Sequence, residues 1–276
     1  MEKNNICTIL VCSCDTYEDT WMPFFKLLKK YWPNCNFPIV LNTETKQFKY
    51  EGLDIKTYSL YKNSKAAWGK RLIETLKLID SKYVLFILDD FFLEDYVEDK
   101  KVSKCIEWME KDNNIAVFSF MPTPGQNIDN DKYEGFELRP KDGEYRFNCQ
   151  AAIWRRERLI EFVRSHESPW DWELLGSIRS QRYNDEFYSL KETAPKVFNY
   201  DLEHGGAVHR GKWVKEVVLP ICEKNDIKID FSKRGFEEHS PFDYIPPKKK
   251  KNIFKRIINR LKYEFNTRMT KYKSLR

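Results

Sequence analysis

A run of apolar residues followed directly by two aspartates constrains the fold of this chain more than any other stretch. The run is Tyr83–Leu88, whose β-branched and aromatic residues favour a strand buried on both faces, as in a parallel sheet. Asp89 and Asp90 follow it. Ionised carboxylates are rarely buried unless they are paired or bind a cation, and two adjacent ones repel each other. The pattern predicts a divalent metal site at the carboxyl end of the strand, with capping of the next turn as the alternative.

Strand and helix patterns alternate before this strand. Apolar runs favour strands, and apolar residues at helical spacing favour helices, in the order strand 6–14, helix 21–32, strand 38–42, strand 55–60 and helix 67–79. The alternation predicts the α/β class, with an open, mostly parallel, Rossmann-like sheet and flanking helices. In such sheets, ligands bind outside the carboxyl ends of the strands. Asp15 and Tyr17, after the first strand, are therefore expected to share one edge with Asp89 and Asp90.

The rest of the body is predicted from shorter patterns. Asp142-Gly143 is a turn signal between two apolar stretches and predicts an antiparallel hairpin. Ser168 and Pro169 suit the N-cap and first position of a helix. The predicted elements are helix 102–111, strand 115–120, loop 121–131, hairpin strands 136–138 and 145–153, helix 154–165 and strand 196–200.

Seven cysteines form neither an even framework nor a CxxC pair. Cys12 and Cys14 alternate along the first apparent strand, which suits small buried hydrophobic residues better than a zinc site. The sequence shows no signal peptide and no apolar run of about 18 residues. These observations predict a cytoplasmic protein that does not span a bilayer.

The charge is unevenly distributed, because residues 248–276 carry 12 Lys and Arg but only one acid, whereas the chain as a whole has a net charge of +6. Apolar residues at helical spacing run through this tail, with basic residues between them. The pattern predicts a basic amphipathic helix on an anionic membrane surface. Docking on a partner protein and nucleic-acid binding are the alternatives, and nucleic acid is not the expected partner.

Four short segments, taken in order, carry a family resemblance. They are Ser13-Cys14-Asp15-Thr16-Tyr17, Trp68-Gly69-Lys70-Arg71-Leu72, Leu88-Asp89-Asp90-Phe91-Phe92 and Pro169-Trp170-Asp171-Trp172-Glu173. Over roughly residues 6–220 the chain resembles bacterial GT-A glycosyltransferases of capsule, exopolysaccharide and lipopolysaccharide biosynthesis. The resemblance implies a GT-A-like catalytic domain over 1–245, with a nucleotide-binding half at about 1–120 and an acceptor half at about 121–245. The basic tail, 246–276, lies outside it.

The resemblance implies a metal site, although GT-A enzymes usually carry Asp-x-Asp where this chain has Asp-Asp-Phe. Asp90 is the implied ligand of Mn²⁺ or Mg²⁺, with Asp89 as its partner in binding the metal or as a residue that holds the ribose or is structural. His209 is the late histidine that would complete the site. A hard cation held by carboxylates, phosphate oxygens and water suits a leaving diphosphate. A metal-independent enzyme is the alternative.

The resemblance also places the donor nucleotide over the end of the first strand. Asp15 would accept from the base or ribose, and Tyr17 would stack on the base; capping of a turn is the alternative for Asp15. Lys70 and Arg71 would contact phosphate or pair with the acidic loop, and the alternative is that they are merely solvated. Arg210 and Lys212, in a cationic cluster with His209, would bind the diphosphate.

An inverting transfer needs a base that deprotonates the acceptor hydroxyl. In related enzymes an acid in the Trp170–Glu173 segment has this role, which implies Glu173, with Asp171 as the second choice. On a helix these two side chains are about 200° apart, so only one faces the cleft. The alternative is that both acids merely favour the helix dipole.

The sequence therefore predicts an inverting, metal-assisted glycosyltransferase that moves a sugar from a nucleotide sugar to a glycan or lipid-linked acceptor. It would act in cell-surface polysaccharide synthesis, attached peripherally to the inner face of the membrane. A nucleotidyltransferase is the enzymatic alternative, although residues 13–20 lack the glycines of its phosphate loop. A non-catalytic binding protein on a degenerate GT-A fold is the other.

Overall fold

An eight-stranded sheet organises the part of the chain that this computed structural model describes, residues 6–61, 66–125, 127–129, 131–143 and 145–237. The strands are β1 (Cys7–Cys12), β2 (Ile39–Thr43), β3 (Ile55–Ser59), β4 (Tyr83–Leu88), β5 (Ile115–Ser119), β6 (Phe136–Leu138), β7 (Ala152–Arg155) and β8 (Glu186–Leu190). They lie in the order β3-β2-β1-β4-β7-β5-β8-β6. Only β6 and β7 run against the other six. The predicted α/β class with an open, mostly parallel sheet is confirmed.

Helices cover both faces of this sheet. They are α1 (Glu18–Tyr31), α2 (Trp68–Lys77), α3 (Asp99–Lys111), α4 (Arg156–Phe162), α5 (Pro169–Asp171), α6 (Ser177–Ser180) and α7 (Lys215–Asn225). A π-helical turn, Trp172–Gly176, joins α5 to α6, and a short hairpin of β9 (Val208–His209) and β10 (Lys212–Trp213) precedes α7. Helices α1, α3 and α7 pack in one apolar cluster, and α2 and α4 pack in the other.

The strand β4 separates these two clusters. Because side chains alternate along a strand, Leu85 and Ile87 enter the first cluster while Val84 and Phe86 enter the second. All four are buried, which confirms the prediction of a strand covered on both faces. The carboxylates that follow β4 are thereby carried to the edge of a doubly covered sheet.

The register of the central strands sets the position of the candidate site. In the parallel pair of β1 and β4, Cys12 lies opposite Leu88. In the parallel pair of β1 and β2, Cys12 lies opposite Asn42. The loops after β1, β2 and β4 therefore leave the sheet side by side at its carboxyl edge, where open α/β sheets bind ligands.

The predicted hairpin around Asp142-Gly143 is wrong. The strand β6 pairs with β8, and β7 lies antiparallel between β4 and β5. The run Ala152-Ile153-Trp154 is buried, so a position between two central strands covers it better than a hairpin at an edge would. Trp154 therefore belongs to β7, and the helix predicted over 154–165 begins at Arg156.

Two other predictions about strands differ from the structure. The segment 196–200 is not a strand, because its carbonyls at Val197 and Asn199 accept hydrogen bonds from the turn at Glu98 and Glu94 instead of from the sheet. The strand β8 is missed from the sequence, since its five residues follow a helix without a strong turn signal.

Three other expectations concern the whole chain. The seven cysteines are unpaired, and Cys14 lies beyond the end of β1, partly buried, not inside the strand. Among the described helices, none combines the length and the apolar character that crossing a membrane requires. The basic tail predicted to be an amphipathic helix lies outside the described residues.

Candidate functional site

Asp89 is the buried link between the first and fourth strands. Its Oδ2 accepts hydrogen bonds from the Ser13 hydroxyl at 2.6 Å, the Thr20 hydroxyl at 2.7 Å and Trp21 Nε1 at 3.1 Å. The side chain is only 3% exposed. Burial raises its pKa although these donors oppose the rise. Asp89 thus fastens the loop after β1 and the start of α1 to the end of β4.

The neighbouring carboxylate of Asp90 has a different environment. Its Oδ1 is buried and accepts no hydrogen bond from the described residues. Burial and the charge of Asp89 raise its pKa well above the usual range, while Arg234 acts in the opposite direction. An unsatisfied buried carboxylate oxygen is costly, so this atom is the strongest sign of a ligand site in the described chain.

The loop at Gly205-Gly206 packs directly on the main chain of Asp90. The N–H of Ala207 donates to the Asp90 carbonyl at 2.8 Å. At Gly206, φ is 92°, and a Cβ there would lie 2.9 Å from the same carbonyl oxygen. Only glycine permits both this backbone conformation and this close approach. The contact fixes Asp90 against the late part of the chain.

Asp15 holds the loop that follows β2. Its carboxylate accepts hydrogen bonds from the N–H groups of Glu44 and Thr45 at 3.1 Å and of Lys46 at 3.3 Å. Burial acts to raise its pKa, but the bonds from Thr45, Lys46 and Glu44 outweigh this and lower it. The structure therefore places the predicted nucleotide ligand Asp15 at the edge of the sheet, already engaged with protein donors.

Arg71, on α2, lies beneath the same loops. It is 6% exposed, and its Nη1 donates to the Ser13 carbonyl at 2.9 Å and to Asn42 Oδ1 at 3.2 Å. Its Nη2 lies 3.5 Å from Glu44 Oε1. The guanidinium therefore joins the loops after β1 and β2, and the expectation of a merely solvated Arg71 does not fit this burial.

A C-terminal segment that we call the strap, residues 231–237, closes over the loop after β1. Arg234 from the strap lies 4.3 Å above the ring centre of Tyr17 and forms an ion pair with Asp19. Burial raises the Tyr17 pKa, and the negative charge of Asp90 acts in the same direction. Nothing in the local sequence pattern pointed to Arg234, which is 215 residues from Asp19 in the chain.

The predicted cationic cluster 209–212 lies at the base of the strap. His209 Nδ1 is 2.9 Å from the Glu237 carboxylate, and Lys212 Nζ donates to the Arg234 carbonyl at 2.5 Å. Arg210, with φ of 50°, and Gly211, with φ of 78°, form the turn between β9 and β10. A two-residue turn with both φ values positive matches the twist of a hairpin. The cluster is thus fastened to the segment that carries Arg234.

The two acids of the Trp170–Glu173 segment point in different directions. Asp171 is exposed and closes a capping box, accepting from the Ser168 N–H at 3.1 Å and hydroxyl at 2.7 Å. Glu173 is half-buried, and its Oε1 accepts the Cys149 N–H at 2.7 Å. Burial raises the Glu173 pKa, although the Cys149 bond opposes the rise. A raised pKa suits a carboxylate that takes up a proton in catalysis.

Glu173 also lines an open cavity of about 460 Å³. Cys149 connects this cavity to the acidic pair: burial, then Glu173 and more weakly Asp90, raise the pKa of its thiol. Cys149 precedes β7, whose Ala152 lies opposite Phe86 of β4, so the contact between Cys149 and Glu173 lies towards the carboxyl end of β4. The structure brings Asp89, Asp90, Tyr17 and Glu173 to one edge of the sheet, whereas the carboxylate of Asp171 is used in its cap.

The described residues by themselves supply only part of a metal site. The described residues contain no group of three or more His, Cys, Asp or Glu side chains that could hold one. Asp90 does have a buried carboxylate oxygen without a hydrogen bond. Mg²⁺-like ions commonly bind through one or two carboxylates, substrate phosphates and water. Asp90 together with a diphosphate would therefore meet this requirement. Asp89 would hold the adjacent loop in place through its hydrogen bonds with Ser13 and Thr20.

Among known proteins, only solved structures resemble this chain. The sequence matches no protein-family model and no curated protein. The structure of S. aureus TarS 1–349 is 13% identical, covers 72% of this chain and 60% of its own, and has a TM-score of 0.47. The mannosyltransferase PcManGT from Pyrobaculum calidifontis, in complex with GDP-Man and Mn²⁺, is 13% identical, with 75% and 58% covered and a TM-score of 0.43.

The galactosyltransferase LgtC, in complex with donor and acceptor sugar analogues, is 12% identical, with 83% of this chain and 99% of that chain covered and a TM-score of 0.45. This chain thus spans 60% of the length of the TarS fragment. At these identities and TM-scores, neither an activity nor a ligand passes from those proteins to this chain.

Proposed function

We propose that this protein is a glycosyltransferase that moves a sugar from a nucleotide-diphosphate sugar to a glycan or lipid-linked acceptor. The observation that carries the proposal is the buried, unsatisfied Oδ1 of Asp90 at the carboxyl edge of the sheet. A half-buried Glu173 with a raised pKa lines an open cavity, and it accepts the N–H of Cys149, which lies just before β7, the strand paired with β4. This pairing supplies a site for the leaving diphosphate and a base for the acceptor, and it agrees with the GT-A motifs of the sequence.

The donor would lie over the loops after β1 and β4. Asp90 would hold Mn²⁺ or Mg²⁺ jointly with the diphosphate, while Asp89 keeps the loop in place. His209, whose Nδ1 faces Glu237, would be a further ligand. When bound, the ion would offset the negative charge that develops on the leaving group. Arg210 and Lys212 would add positive charge next to the diphosphate.

The nucleoside would occupy the side of the site formed by Tyr17 and Asp15. Arg234 covers one face of the Tyr17 ring, so a base would stack on the other face or be met by the guanidinium itself. Asp15 already accepts hydrogen bonds from the loop after β2, and that loop would present its own groups to the ribose. Arg71 acts from below as a positioning residue for both loops.

Glu173 would be the base of an inverting transfer. Its raised pKa lies closer to neutrality than that of an ordinary glutamate, which favours proton uptake from an acceptor hydroxyl as that oxygen attacks the anomeric carbon. The Cys149 N–H bond orients the carboxylate, and the cavity beside it would admit the acceptor. Asp171 is the reserve candidate, but its carboxylate is committed to the Ser168 cap.

The cellular setting is proposed from the sequence. A basic amphipathic tail at 248–276 would attach the enzyme peripherally to the anionic inner face of the membrane. A lipid-linked acceptor for a capsule, exopolysaccharide or lipopolysaccharide would be presented at that surface. This places the reaction in cell-surface polysaccharide synthesis.

Thermal-shift titration tests the donor site. The full-length protein is mixed with UDP, GDP, ADP, CDP and TDP, each with EDTA, Mg²⁺ or Mn²⁺. We expect one diphosphate to raise the melting temperature in the presence of metal, because a ligand of the native state stabilises it by mass action. Asp90→Ala should abolish that shift, and Asp171→Asn, in the cap, should keep it. A folded protein that responds to no nucleotide would overturn the proposal and favour a non-catalytic binding protein.

A further inference from the structure

The cavity beside Glu173 has the composition of a sugar-binding site. Its walls include the rings of Trp170 and Tyr145, the apolar side chain of Leu174, and polar groups from Asp142, Glu173 and Gln181. Ligand pockets commonly combine aromatic surface with a few polar groups that fix orientation. At about 460 Å³ the cavity is large enough for one or two sugar rings.

The two aromatic residues that line the cavity are more exposed than aromatic residues that serve only to pack the core. Trp170 is 77% exposed and Tyr145 is 54% exposed, whereas the neighbouring Trp172 is fully buried among other rings. The sequence W-D-W therefore gives one indole to the core and one to the cavity. An indole with a free face and a polar N–H is suited to contacts in which one side is apolar and the other is wet.

The backbone at Tyr145 supports the same conclusion. Its φ of 48° lies in the left-handed region, which a bulky residue rarely adopts. Because the ring is more than half exposed, packing of the ring does not explain that conformation. Backbone conformations of this kind cluster at ligand sites, where the surrounding structure imposes them.

The π-helical turn Trp172–Gly176 contains Glu173, the proposed base, and places it at the cavity. Such turns are rare and occur frequently at functional sites. A Cβ at Gly176 would lie 3.3 Å from the Trp172 ring and 3.5 Å from Phe147, so the glycine allows these rings to pack closely under the turn. Glu173 is thereby held between the Cys149 N–H and the cavity.

The charge of the residues that line the cavity indicates whether a neutral or an anionic sugar would bind there. The described residues that line the cavity include two carboxylates, Asp142 and Glu173, and no lysine or arginine. The nearby Lys141 ammonium is 2.7 Å from Asn184 Oδ1. Phosphate and carboxylate groups are recognised by cations and paired donors, so an anionic sugar would be repelled here.

We infer that this cavity binds the acceptor and that the acceptor ring it holds is uncharged, with no phosphate or carboxylate group. The inference rests on the proposed function, in which Glu173 deprotonates a hydroxyl group of that ring. Trp170 and Tyr145 supply the stacking faces, and Asp142 and Gln181 hydrogen-bond to hydroxyls at the rim. A lipid diphosphate or a polyol-phosphate backbone would have to lie outside the cavity.

Saturation-transfer NMR on the full-length protein tests this directly. The uncharged probes are the methyl glycosides of glucose, galactose and N-acetylglucosamine, and the anionic probes are methyl glucuronide and glucose 6-phosphate. We expect signal from at least one uncharged glycoside and none from the anionic ones. Trp170→Ala should weaken the binding roughly tenfold, because stacking on one ring accounts for about that factor.

Matched variants make the result specific. Tyr96, which is 61% exposed and outside the cavity, provides the control: Tyr96→Ala should leave binding unchanged. Asp142→Lys, at an exposed position, should admit glucose 6-phosphate. Equal binding of anionic and uncharged probes, unchanged binding in Trp170→Ala, or no binding of any glycoside would overturn the inference.

The nucleotide titration separates the two proposals. A protein that binds a nucleoside diphosphate but none of the glycosides retains the proposed function and loses the assignment of the cavity. A protein that binds uncharged glycosides through Trp170 but no nucleotide keeps the cavity as a sugar site and loses the transferase, together with the acceptor role of that site.

Discussion

Arg234 and Asp19 form a two-pronged ion pair between the strap and the start of α1. Arg234 Nε lies 2.8 Å from Asp19 Oδ2, and Nη2 lies 2.5 Å from Oδ1. Both side chains are mostly buried, at 8% and 12% exposure. The same guanidinium covers Tyr17 and opposes the rise in the pKa of Asp90. This one ion pair therefore fixes the strap beside Tyr17 and holds a positive charge near Asp90, at the proposed donor site.

Arg234→Gln should lower the free energy of unfolding by about 2–4 kcal/mol, because removing one partner of a buried pair leaves the other charge uncompensated. Urea unfolding measures this. The double variant Arg234→Gln, Asp19→Asn should recover part of the loss, since no charge is then left unpaired. Lys104→Gln breaks the exposed pair with Glu107 and should cost less than about 1 kcal/mol. If Arg234→Gln and Lys104→Gln lowered the free energy of unfolding equally, the strap contact would have no special structural role.

Asp90→Asn should stabilise the protein while removing its activity. The substitution keeps the shape of the side chain and ends the repulsion between two adjacent carboxylates. We expect the free energy of unfolding at pH 7 in EDTA to rise by on the order of 1–2 kcal/mol. Asp89→Asn is the matched variant and should destabilise, because Ser13, Thr20 and Trp21 all donate to Asp89. If both variants lost stability alike, Asp90 would be a structural residue.

The pH dependence of stability gives a second measurement of the same effect. Because the folded-state pKa of Asp90 is raised above its unfolded value, the native state binds more protons in the interval between the two. The free energy of unfolding should therefore fall as the pH rises through that interval. Asp90→Asn should flatten this slope in EDTA. An unchanged slope would show that the Asp90 carboxyl does not titrate differently in the folded protein.

Glu173→Gln should lower turnover by about 100- to 10,000-fold, the range expected for loss of a general base. Glutamine can still accept the Cys149 N–H bond, so the melting temperature and nucleotide binding should change little. Activity of the native enzyme should fall at acid pH on a limb set by the raised Glu173 pKa. Asp171→Asn, in the capping box, should keep turnover and cost about 1 kcal/mol of stability. Loss of turnover in Asp171→Asn alone would exchange the two roles.

Removal of residues 248–276 should abolish binding to anionic vesicles without lowering transfer to a short soluble acceptor. The segment carries 12 of the 48 basic residues in the chain, and each cation near an anionic surface contributes about 1 kcal/mol. Co-sedimentation with phosphatidylglycerol vesicles measures the binding, with phosphatidylcholine vesicles as the control. Salt should weaken it through screening. Equal binding of the truncated chain would exclude the tail as the membrane contact.

The sequence contained the local signals of the parallel half of the fold but not its long-range pairings. The run Tyr83–Leu88 could be predicted because an apolar, β-branched stretch suits only a strand covered on both faces. The position of β7 between β4 and β5 could not, because register between distant strands depends on packing that no local pattern records. The same limit applies to Arg234, whose partner lies at the other end of the chain.

The same contrast between local signals and long-range contacts holds for the candidate site. Asp89, Asp90 and Glu173 stood out because carboxylates beside apolar or aromatic runs need an explanation. Their different roles did not follow from the spacing: Asp89 receives three donors, while Oδ1 of Asp90 receives none from the described residues. That difference arises from α1, which brings Thr20 and Trp21 to one carboxylate and not to the other.

Gly206 tests whether the position of Asp90 depends on the late loop. Gly206→Ala combines a left-handed backbone, with φ of 92°, and a Cβ 2.9 Å from the Asp90 carbonyl, so the loop and Asp90 must move apart. Gly125→Ala is the matched control, because its φ is 103° but a Cβ there would meet nothing within 4 Å. The control isolates the backbone cost, about 1–3 kcal/mol.

We expect Gly206→Ala to lose more stability than Gly125→Ala and, unlike it, to lose the nucleotide-dependent thermal shift. The extra loss has a definite cause: the Ala207 N–H bond to the Asp90 carbonyl cannot survive the displacement, and Asp90 then leaves the orientation that we propose for binding the diphosphate. Urea unfolding and the thermal-shift titration measure the two effects separately. If both variants kept the nucleotide response, the late loop would support the fold of this region without setting the geometry of the donor site.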